Sequence, residues 1–298
     1  MKKFVIQIIG AFMLLLLLLT VLDFIYTTIY KNAAPRTKFQ YLRSLKNTKV
    51  NYIFLGSSRV ENGIDPIIIE TYTHKNAVNL GYQASKLGDV FSVLKLLKSY
   101  AIASDTIFVQ VDYSFVSSGN SINLPYEMTP FIRDNKVTKD YFLEYLEKHP
   151  SFYYFPFIRY CENETKVGIR EVFANFIGKR TAVLEKRGFS PLAGIEDQRN
   201  SHRSLPAASI TSNSYYEKIK KYGATNNVKI VFFCAPFCKH VKNLDYVGKL
   251  KAKIPDLYDF SSVIQEDSKF VNCFHLNESG ATEFTKIFAE ELLKNNKK

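Results

Sequence analysis

Tryptophan is absent from this chain, and cysteine is scarce, with only 4 among 298 residues. So few cysteines exclude a small secreted scaffold held together by disulfides. Their spacing also excludes the usual zinc sites, because Cys234 and Cys238 have only three residues between them and no second Cys or His pair accompanies them. We therefore predict no metal site. The cysteines are expected to be small buried thiols or to form one or two disulfides.

Acidic residues are fewer than basic ones. The chain contains 28 Asp and Glu and 40 Lys and Arg, which gives a formal net charge of +12. Such a charge suits an anionic partner, which could be a nucleic acid, an acidic polymer or an anionic lipid surface. Hydrophobic residues make up 46% of the chain and charged residues 23%, which excludes a disordered or fibrous protein.

The amino-terminal segment is strongly apolar. Residues 4–25 contain only Gln7, Thr20 and Asp23 as clearly polar residues. At about 1.5 Å per residue, a helix of this length crosses the roughly 30 Å hydrocarbon layer of a bilayer. Lysines precede the run and tyrosines follow it, as is usual at membrane interfaces. We predict a retained membrane anchor over residues 1–30. A cleaved signal peptide is the alternative, for which the run is long.

Residues 31–49 are polar and basic, and we predict that they form a juxtamembrane linker. Their six basic residues outnumber the two lysines that precede the anchor. Counted locally, this difference would keep the following domain in the cytoplasm. Large domains are nevertheless exported regardless of nearby charge, so charge alone leaves the orientation open.

Short apolar runs alternate with helical patterns over residues 50–298. The predicted strands cover residues 50–55, 76–80, 106–111, 228–234 and, more weakly, 257–260. The predicted helices cover residues 87–100, 214–222 and 281–293. This alternation predicts an α/β domain in which helices sandwich a flavodoxin-like parallel sheet. Functional residues are expected at the carboxyl ends of its strands.

A stretch at about 117–205 breaks this alternation, since it is rich in aromatic and charged residues and has no strand period. We predict a helical insertion in the 50–298 domain. It is expected either to form a lid or acceptor-recognition element over the strand ends or to complete the core as a subdomain.

Two short motifs carry the candidate chemistry. Leu-Gly-Ser-Ser-Arg at 55–59 directly follows the first predicted strand, where a glycine turn leaves backbone N–H groups facing the crevice. A serine placed there can act as a nucleophile if a base reaches it. Asn-Cys-Phe-His at 272–275 places His275 in a loop before the last predicted helix.

In this order along the chain, the two motifs resemble the first and last blocks of the SGNH/GDSL hydrolase superfamily. The first block ends in the nucleophilic serine, here Ser58, and the last is Asp-x-x-His, here Asn272 to His275. The glycine of the second block corresponds to Gly81. The GSSR sequence, the anchor and the HLNxxGA ending are most similar to a membrane-anchored branch. That branch includes D-alanine-transfer and polysaccharide O-acetyltransfer proteins of bacterial envelopes, and the resemblance covers about residues 50–293.

The resemblance implies a role for each matching residue. Ser58 would attack an acyl carbonyl, and His275 would take its proton and later return it to the leaving or incoming oxygen. Asn272 would orient the His275 ring, and the N–H groups of Ser58 and Gly81 would stabilise the oxyanion. Ser57 stands where the family usually has Asp and is either a catalytic contributor or a turn residue. No cofactor is implied.

This sequence departs from the family in two places. The third block, Gly-x-Asn-Asp, is missing, because the third strand runs into Val-Asp-Tyr-Ser-Phe at 111–115. The triad carboxylate is replaced by Asn272, which cannot stabilise an imidazolium by charge. Asp259 or Asp267 could take over that role; otherwise the site is a slow Ser–His dyad or is degenerate.

The expected function is serine-dependent acyl-ester transfer or hydrolysis on a cell-envelope glycan or a related polymer, by a single-pass membrane protein whose domain is extracytoplasmic. The partners implied are the bilayer, the acylated polymer and an integral-membrane acyltransferase that supplies the acyl group. A nucleic acid is not expected. The rival hypothesis is a membrane-tethered binding or assembly protein that has kept the fold and lost the catalytic site.

Overall fold

The structure, a computed structural model, describes residues 1–117, 119–121, 123–145, 151–196, 203–207 and 212–294. Contacts between Cα atoms divide the chain into two compact units. We call Met1–Gln40 together with Leu124–Thr181 the anchor unit, and Tyr41–Asn123 together with Ala182–Lys298 the sheet unit.

The sheet unit is built on a five-stranded parallel sheet. Its strands are β1 (Lys49–Leu55), β2 (Ala77–Asn79), β3 (Ala103–Gln110), β4 (Lys229–Cys234) and β5 (Tyr258–Asp259). They lie in the order β2-β1-β3-β4-β5, and every neighbouring pair is parallel. A separate antiparallel hairpin consists of β6 (Phe270–Asn272) and β7 (His275–Leu276). The predicted α/β class with a parallel sheet is confirmed.

Helices account for most of the remaining described chain. The sheet unit contains α3 (Ser58–Glu61), α4 (Pro66–Thr73), α5 (Leu87–Ser99), α12 (Ala182–Glu185), α13 (Ser214–Asn226), α14 (Asp245–Lys253) and α15 (Glu278–Ala289), which a π-helical turn extends over Glu290–Lys294. The anchor unit contains α1 (Lys2–Asn32), the start of α2 (Lys38–Ser44), nearly all of α6 (Asn123–Met128), α7 (Lys136–Tyr145), α8 (Ser151–Tyr154), α9 (Ile158–Glu162), α10 (Glu164–Val167) and α11 (Ile169–Phe176). Short 3-10 turns cover Tyr113–Val116, Thr129–Phe131 and Asp267–Lys269.

Helices cover both faces of the sheet. On β4, the ring of Phe232 lies 4.9 Å from that of Tyr216 in α13, whereas the ring of Phe233 lies 5.1 Å from that of Phe288 in α15. Because neighbouring residues of a strand point to opposite faces, α13 and α15 lie on opposite sides of the sheet. α5 packs against α13, and α4 packs against α15.

Phenylalanine side chains fill the space between the sheet and α15. Phe54 of β1 and Phe108 of β3 are register partners whose ring centroids are 5.0 Å apart. Both rings contact Phe288, and all three side chains are buried. Removing one such ring from a packed core costs about 3–5 kcal/mol. This layer fixes the strands whose carboxyl ends carry the candidate site.

In the anchor unit, α1 is long and apolar enough to cross a membrane, by length and composition. Many of its apolar side chains are exposed as far as Ile25. Asp23 is buried instead, because its Oδ1 lies 2.7 Å from the Arg159 guanidinium and its Oδ2 accepts the Phe157 N–H at 2.8 Å. The last third of α1 is therefore part of a folded core.

The insertion predicted at about 117–205 is divided between the units. Its Leu124–Thr181 part groups with α1, because aromatic rings such as Tyr160 pack against Tyr26 at a centroid distance of 5.1 Å. Residues from Ala182 onward belong to the sheet unit, where the Ser190 N–H donates to the Glu61 carbonyl. Residues 118, 122, 146–150 and 197–202 of the predicted insertion lie outside the described residues.

Candidate active site

Loops at the carboxyl ends of four parallel strands carry the candidate residues. The Gly-Ser-Ser turn follows β1, Gly81 follows β2, Asp112 follows β3 and Ala235 follows β4. Because the carboxyl ends of parallel strands meet at one edge, these residues share that edge of the sheet. The β6–β7 hairpin supplies His275 just before α15 begins.

Ser58 and His275 are in direct contact. The Ser58 Oγ lies 2.8 Å from the His275 Nε2, although the two residues are 217 positions apart. Ser58 is the first residue of α3, and the preceding Ser57 caps that helix by accepting the Arg59 N–H at 3.3 Å. The structure thus brings the predicted nucleophile within hydrogen-bond distance of the predicted base.

Asn272 determines which nitrogen of the His275 ring carries the proton. The Asn272 Oδ1 accepts the Phe274 N–H at 3.1 Å, so the amide oxygen, not its NH₂ group, faces this loop. The same oxygen lies 3.0 Å from the His275 Nδ1, which must therefore carry the ring proton of the neutral imidazole. The Nε2 is then unprotonated and accepts the Ser58 hydroxyl.

The His275 ring is held in its neutral form. Its pKa is lowered from 6.5 to about 4, first by burial and then by the positive charges of Arg59 and Arg203. Neither ring nitrogen bonds to a carboxylate that would oppose this effect, since they face Ser58 and Asn272. At neutral pH the ring can accept a proton, as a general base requires.

Gln110, the last residue of β3, supports the turn that carries Ser58. Its Oε1 accepts both the Ser57 N–H at 2.8 Å and the Ser57 hydroxyl at 2.9 Å. A Cβ at Gly56 would come within 2.6 Å of this oxygen, so the close approach requires glycine. The role of Gln110 was not predicted from the sequence, although it is the one amide residue in the apolar run at 106–111.

Arg59 connects the Gly-Ser-Ser turn to the ends of β3 and β4. Its buried Nη2 donates to the carbonyl oxygens of Ala235 and Pro236, both at 2.6 Å, and its guanidinium stacks 3.5 Å from the Phe237 ring centroid. Its Nη1 lies 3.3 Å from the Asp112 carboxylate. Arg59 therefore fixes the position of its neighbour Ser58, a role that the GSSR motif alone did not reveal.

Asp112 lies two positions after the end of β3, in the Val-Asp-Tyr-Ser-Phe segment at 111–115. Its buried carboxylate accepts the Ser114 N–H at 3.0 Å and the Gln110 amide N–H, and it forms the ion pair with Arg59. These contacts keep the Asp112 side chain among the residues that support the Gly-Ser-Ser turn. An ionised carboxylate has no proton to donate, so Asp112 is not a candidate oxyanion donor.

Gly81 lies against the Gly-Ser-Ser turn, since a Cβ there would come within 3.0 Å of the Ser57 carbonyl oxygen and 2.7 Å of the Glu61 nitrogen. Its N–H donates to the Asn79 Oδ1 at 3.0 Å. The Asn79 amide also donates to the carbonyls of Val60 and Ile64. The oxyanion role of Gly81 stays a prediction, which requires its N–H to be released from Asn79 or shared.

Comparison of the chain with models of protein families and with curated proteins finds no match. Its function must therefore be inferred from the geometry of the Ser58–His275 pair and its surroundings.

The two aspartates considered as substitutes for the triad carboxylate are engaged elsewhere. The Asp267 carboxylate lies 3.1 Å from the His240 Nε2 and also pairs with Lys239. The Asp259 Oδ1 accepts the Ser261 N–H at 2.9 Å. The residue that faces the His275 Nδ1 is Asn272, so the observed arrangement is Ser–His–Asn.

A disulfide between Cys238 and Cys273 lies directly beside Asn272. It joins the loop after β4 to the β6–β7 hairpin, and the Cys238 N–H also donates to the Cys273 carbonyl at 3.1 Å. Of the remaining cysteines, Cys234 is a buried thiol and Cys161 an exposed one. The disulfide and the buried Cys234 thiol each match one of the alternatives left open by the cysteine count, whereas Cys161 matches neither, because it is an exposed free thiol.

Ser58 and His275 line a narrow crevice that is too tight for a water molecule, and Ser58 is 6% exposed. Pro236, Phe274 and Leu276 are among its apolar walls. A larger pocket of about 170 Å³ lies near the opposite ends of the strands, beside the Lys49–Asp105 ion pair. Within the described residues, no cluster of three His, Cys, Asp or Glu side chains could hold a metal ion.

Proposed function

We propose that this protein is a membrane-anchored, serine-dependent acyltransferase or esterase of the SGNH type. The observation that carries the proposal is the 2.8 Å contact between the Ser58 Oγ and the His275 Nε2, with Asn272 holding the ring in the accepting tautomer. The strand order 2-1-3-4-5 is the order of flavodoxin-like folds, which supports both that assignment and the resemblance to the superfamily.

The reaction follows from the two side chains. The Ser58 Oγ forms a bond to the acyl carbonyl carbon while its proton passes to the His275 Nε2. Collapse of the tetrahedral intermediate breaks the ester bond, and His275 returns the proton to the leaving oxygen, so Ser58 carries the acyl group. A glycan hydroxyl or water then gives its proton to His275 and attacks, and Ser58 regains its hydroxyl proton when the product leaves.

The oxyanion of each intermediate requires hydrogen-bond donors. We assign this role to the Ser58 and Gly81 N–H groups, of which the second must turn from the Asn79 amide oxygen towards the substrate. Loss of one such donor typically lowers the rate by about 100-fold to 1,000-fold. Because the third-block asparagine is missing, the two backbone donors are expected to carry more of this stabilisation.

Several features support an envelope polymer as the acceptor and an extracytoplasmic position of the sheet unit. The Cys238–Cys273 disulfide is typical of an oxidising compartment and rare in cytosolic proteins. The net charge of +12 suits an anionic polymer at a membrane surface. By resemblance, an integral-membrane acyltransferase supplies the acyl group, and the bilayer holds α1.

The anchor unit supports retention of α1 after export. Cleavage after the end of α1 would remove Asp23, Thr27 and Tyr30 from the core that they form with α9. The buried Arg159 guanidinium would then lose its carboxylate partner, which typically costs 3–5 kcal/mol. A signal peptide that contributes to the folded core in this way is unsuited to removal.

The second candidate function is tethered binding or assembly without catalysis. It is favoured by the neutral Asn272 in place of a carboxylate and by the hydrogen bond that occupies the Gly81 N–H. In this case the Ser58–His275 contact is a remnant of an ancestral site.

Reaction with a fluorophosphonate separates the two candidates. We expect the full chain in detergent to be labelled on Ser58, and the Ser58→Ala and His275→Ala variants to lose labelling while remaining folded. Ser262→Ala, which removes an exposed serine outside the crevice, is the matched control and should label normally. Absence of labelling in the folded parent chain would favour the binding protein over the enzyme.

A further inference from the structure

The helix α11 in the anchor unit exposes a continuous apolar face. Its members are Ile169 (67% exposed), Phe173 (61%), Phe176 (72%) and, just beyond the helix, Ile177 (54%). Their spacing of four, seven and eight positions from the first residue places them on one side of a helix. The other side is buried through Val172 and Asn175. We call the four exposed residues the apolar face.

Two further exposed aromatic residues lie on the neighbouring part of the same unit. Tyr154 and Phe155 are 66% and 55% exposed. They closely precede Phe157, whose N–H donates to the Asp23 carboxylate on α1. On α1 itself, Phe24 is 70% exposed. Together with the apolar face, these residues make the anchor unit rich in large exposed apolar side chains, a composition that favours a binding surface.

Contacts with α1 and the chain directly after it place α11 near the end of the apolar run. The Gln40 side-chain amide donates both to the Tyr30 carbonyl and to the Asn175 Oδ1 of α11. From Ile25 to Tyr30, α1 rises by about 7.5 Å at 1.5 Å per residue. This rise is close to the thickness of one polar headgroup layer, about 5–8 Å. If the bilayer core ends near Ile25, α11 lies at headgroup level.

Basic residues flank the apolar face. Lys166, Arg170, Lys179 and Arg180 are exposed. Glu171, the one acidic residue between Lys166 and Arg180, pairs with Arg36 at 3.0 Å, while Glu162 and Glu164 lie farther towards the amino end and are exposed. Lysine and arginine beside an apolar helix face are typical of helices that lie on anionic lipid surfaces.

We propose that the apolar face of α11 is inserted into the headgroup region of the same bilayer that α1 crosses. α11 then acts as an interfacial helix beside the transmembrane one, and the anchor unit has two points of attachment to the membrane. The proposal rests on the membrane anchoring proposed above but not on catalysis. An integral-membrane protein or a second copy of the chain would be the other possible occupants of this face.

The absence of tryptophan from the chain allows a direct test. Phe173→Trp and Phe176→Trp each introduce a single fluorescent reporter into the full chain. The variants are reconstituted in vesicles of equal parts phosphatidylcholine and phosphatidylglycerol, in which the phosphatidylcholine acyl chains carry bromine as a quencher. Phe12→Trp, exposed on α1, reports full lipid contact, and Phe131→Trp, buried in the anchor unit, gives the baseline.

We expect the brominated lipid to quench the fluorescence of both α11 reporters to a level between those of the Phe12→Trp and Phe131→Trp variants. Lipids with bromine near the headgroup should quench them more than lipids with bromine near the end of the acyl chain. Accessibility to aqueous iodide without lipid quenching would overturn the proposal. Protection from iodide without lipid quenching would also overturn it, in favour of a protein occupant. Failure of Phe12→Trp to be quenched would instead disprove membrane anchoring itself.

Discussion

At the scale of single residues, an amide, not a carboxylate, faces the Nδ1 atom of the His275 ring. Asn272 fixes the orientation and tautomer of the His275 ring through one oxygen. It supplies no negative charge, and the pKa of the ring stays lowered to about 4. The ring is therefore well placed to accept the Ser58 proton, but it is only weakly basic.

The pH dependence of fluorophosphonate labelling should reflect the lowered pKa of His275. The reaction needs the neutral ring, so its rate should stay constant from neutral pH down to about pH 5 and fall as pH drops through about 4. An acid limb centred near 6.5, the ordinary value for histidine, would contradict the structure. The unfolded chain takes up this proton more readily, so acidification between about 6.5 and 4 should also reduce stability.

Asn272→Asp should increase the rate of Ser58 acylation and move the acid limb to higher pH, because a carboxylate stabilises the imidazolium. The upper bound is the roughly 10,000-fold loss seen for the reverse change in a serine protease. Hydrolysis of p-nitrophenyl acetate and the labelling rate both measure the effect. Asn272→Ala, which removes the acceptor of the Nδ1 proton, should lower both rates. Equal rates in all three chains would show that position 272 does not act on His275.

Only part of the residue-level arrangement could be predicted from the sequence. Ser58, Asn272 and His275 stand in recognisable short motifs, and the structure brings them together. Arg59, Gln110 and Asp112 were missed as supports, because a polar residue at a strand end has many uses and its partner lies elsewhere in the sequence. Their shared network becomes visible only when three strand ends are adjacent.

At the scale of elements, the hairpin that carries His275 has little secondary structure of its own. β6 and β7 contain three and two residues, and their pairing shows an irregularity between Phe270 and Asn272. Cys273 lies between the strands, and its bond to Cys238 closes a separation of 35 positions. The disulfide and the start of α15 therefore hold the position of His275.

The Cys238→Ser/Cys273→Ser double variant should lower the free energy of unfolding by about 2–5 kcal/mol, because the unfolded chain regains the freedom of the open loop. Thermal unfolding in detergent measures the change, and reductant should produce a similar loss in the parent chain. Cys161→Ser, which removes an exposed free thiol, is the control and should be neutral. If neither the double variant nor reductant affects stability or labelling, the bond does not hold the hairpin.

Strands and helices were predicted most accurately where the sequence has a continuous run of apolar residues. The central strands β1, β3 and β4 are runs of buried side chains towards their carboxyl ends, and they were found to within three residues. α4 was missed because only eight residues form it, although Asp65 as its cap and Pro66 at its start are recognisable signals. α14 was missed because much of its nine-residue sequence is polar.

At the scale of the whole molecule, the chain consists of two compact units, and α1 is a structural component of one of them. The division of the 117–205 stretch between the two units could not be predicted from the sequence, because composition does not show which unit a helix joins. The pairing of Asp23 with Arg159 depends on a contact across 136 positions, which no local pattern reveals. α1 is thus more than a tether.

Asp23→Ala should destabilise the anchor unit by about 3–5 kcal/mol, because it leaves the buried Arg159 charge without its partner. Adding Arg159→Met should restore most of the loss. Trypsin sensitivity of the folded full chain in detergent, read at sites within the anchor unit, measures both effects. The exposed Lys136–Asp140 pair is the matched control, and its Lys136→Ala variant should change stability by less than about 0.5 kcal/mol. Equal sensitivity of Asp23→Ala and the parent would mean that the ion pair contributes nothing.

The ion pair between α1 and α9 also sets an order of events during biosynthesis. The ribosome completes Arg159 only 136 residues after Asp23, which takes about 7–27 s at typical rates of chain elongation. Throughout this interval the newly made α1 carries the Asp23 carboxylate, while Arg159, the residue it pairs with in the folded protein, has not yet been synthesised. In the membrane-anchored state proposed above, the final depth of α1 is therefore set late, after α9 has been synthesised.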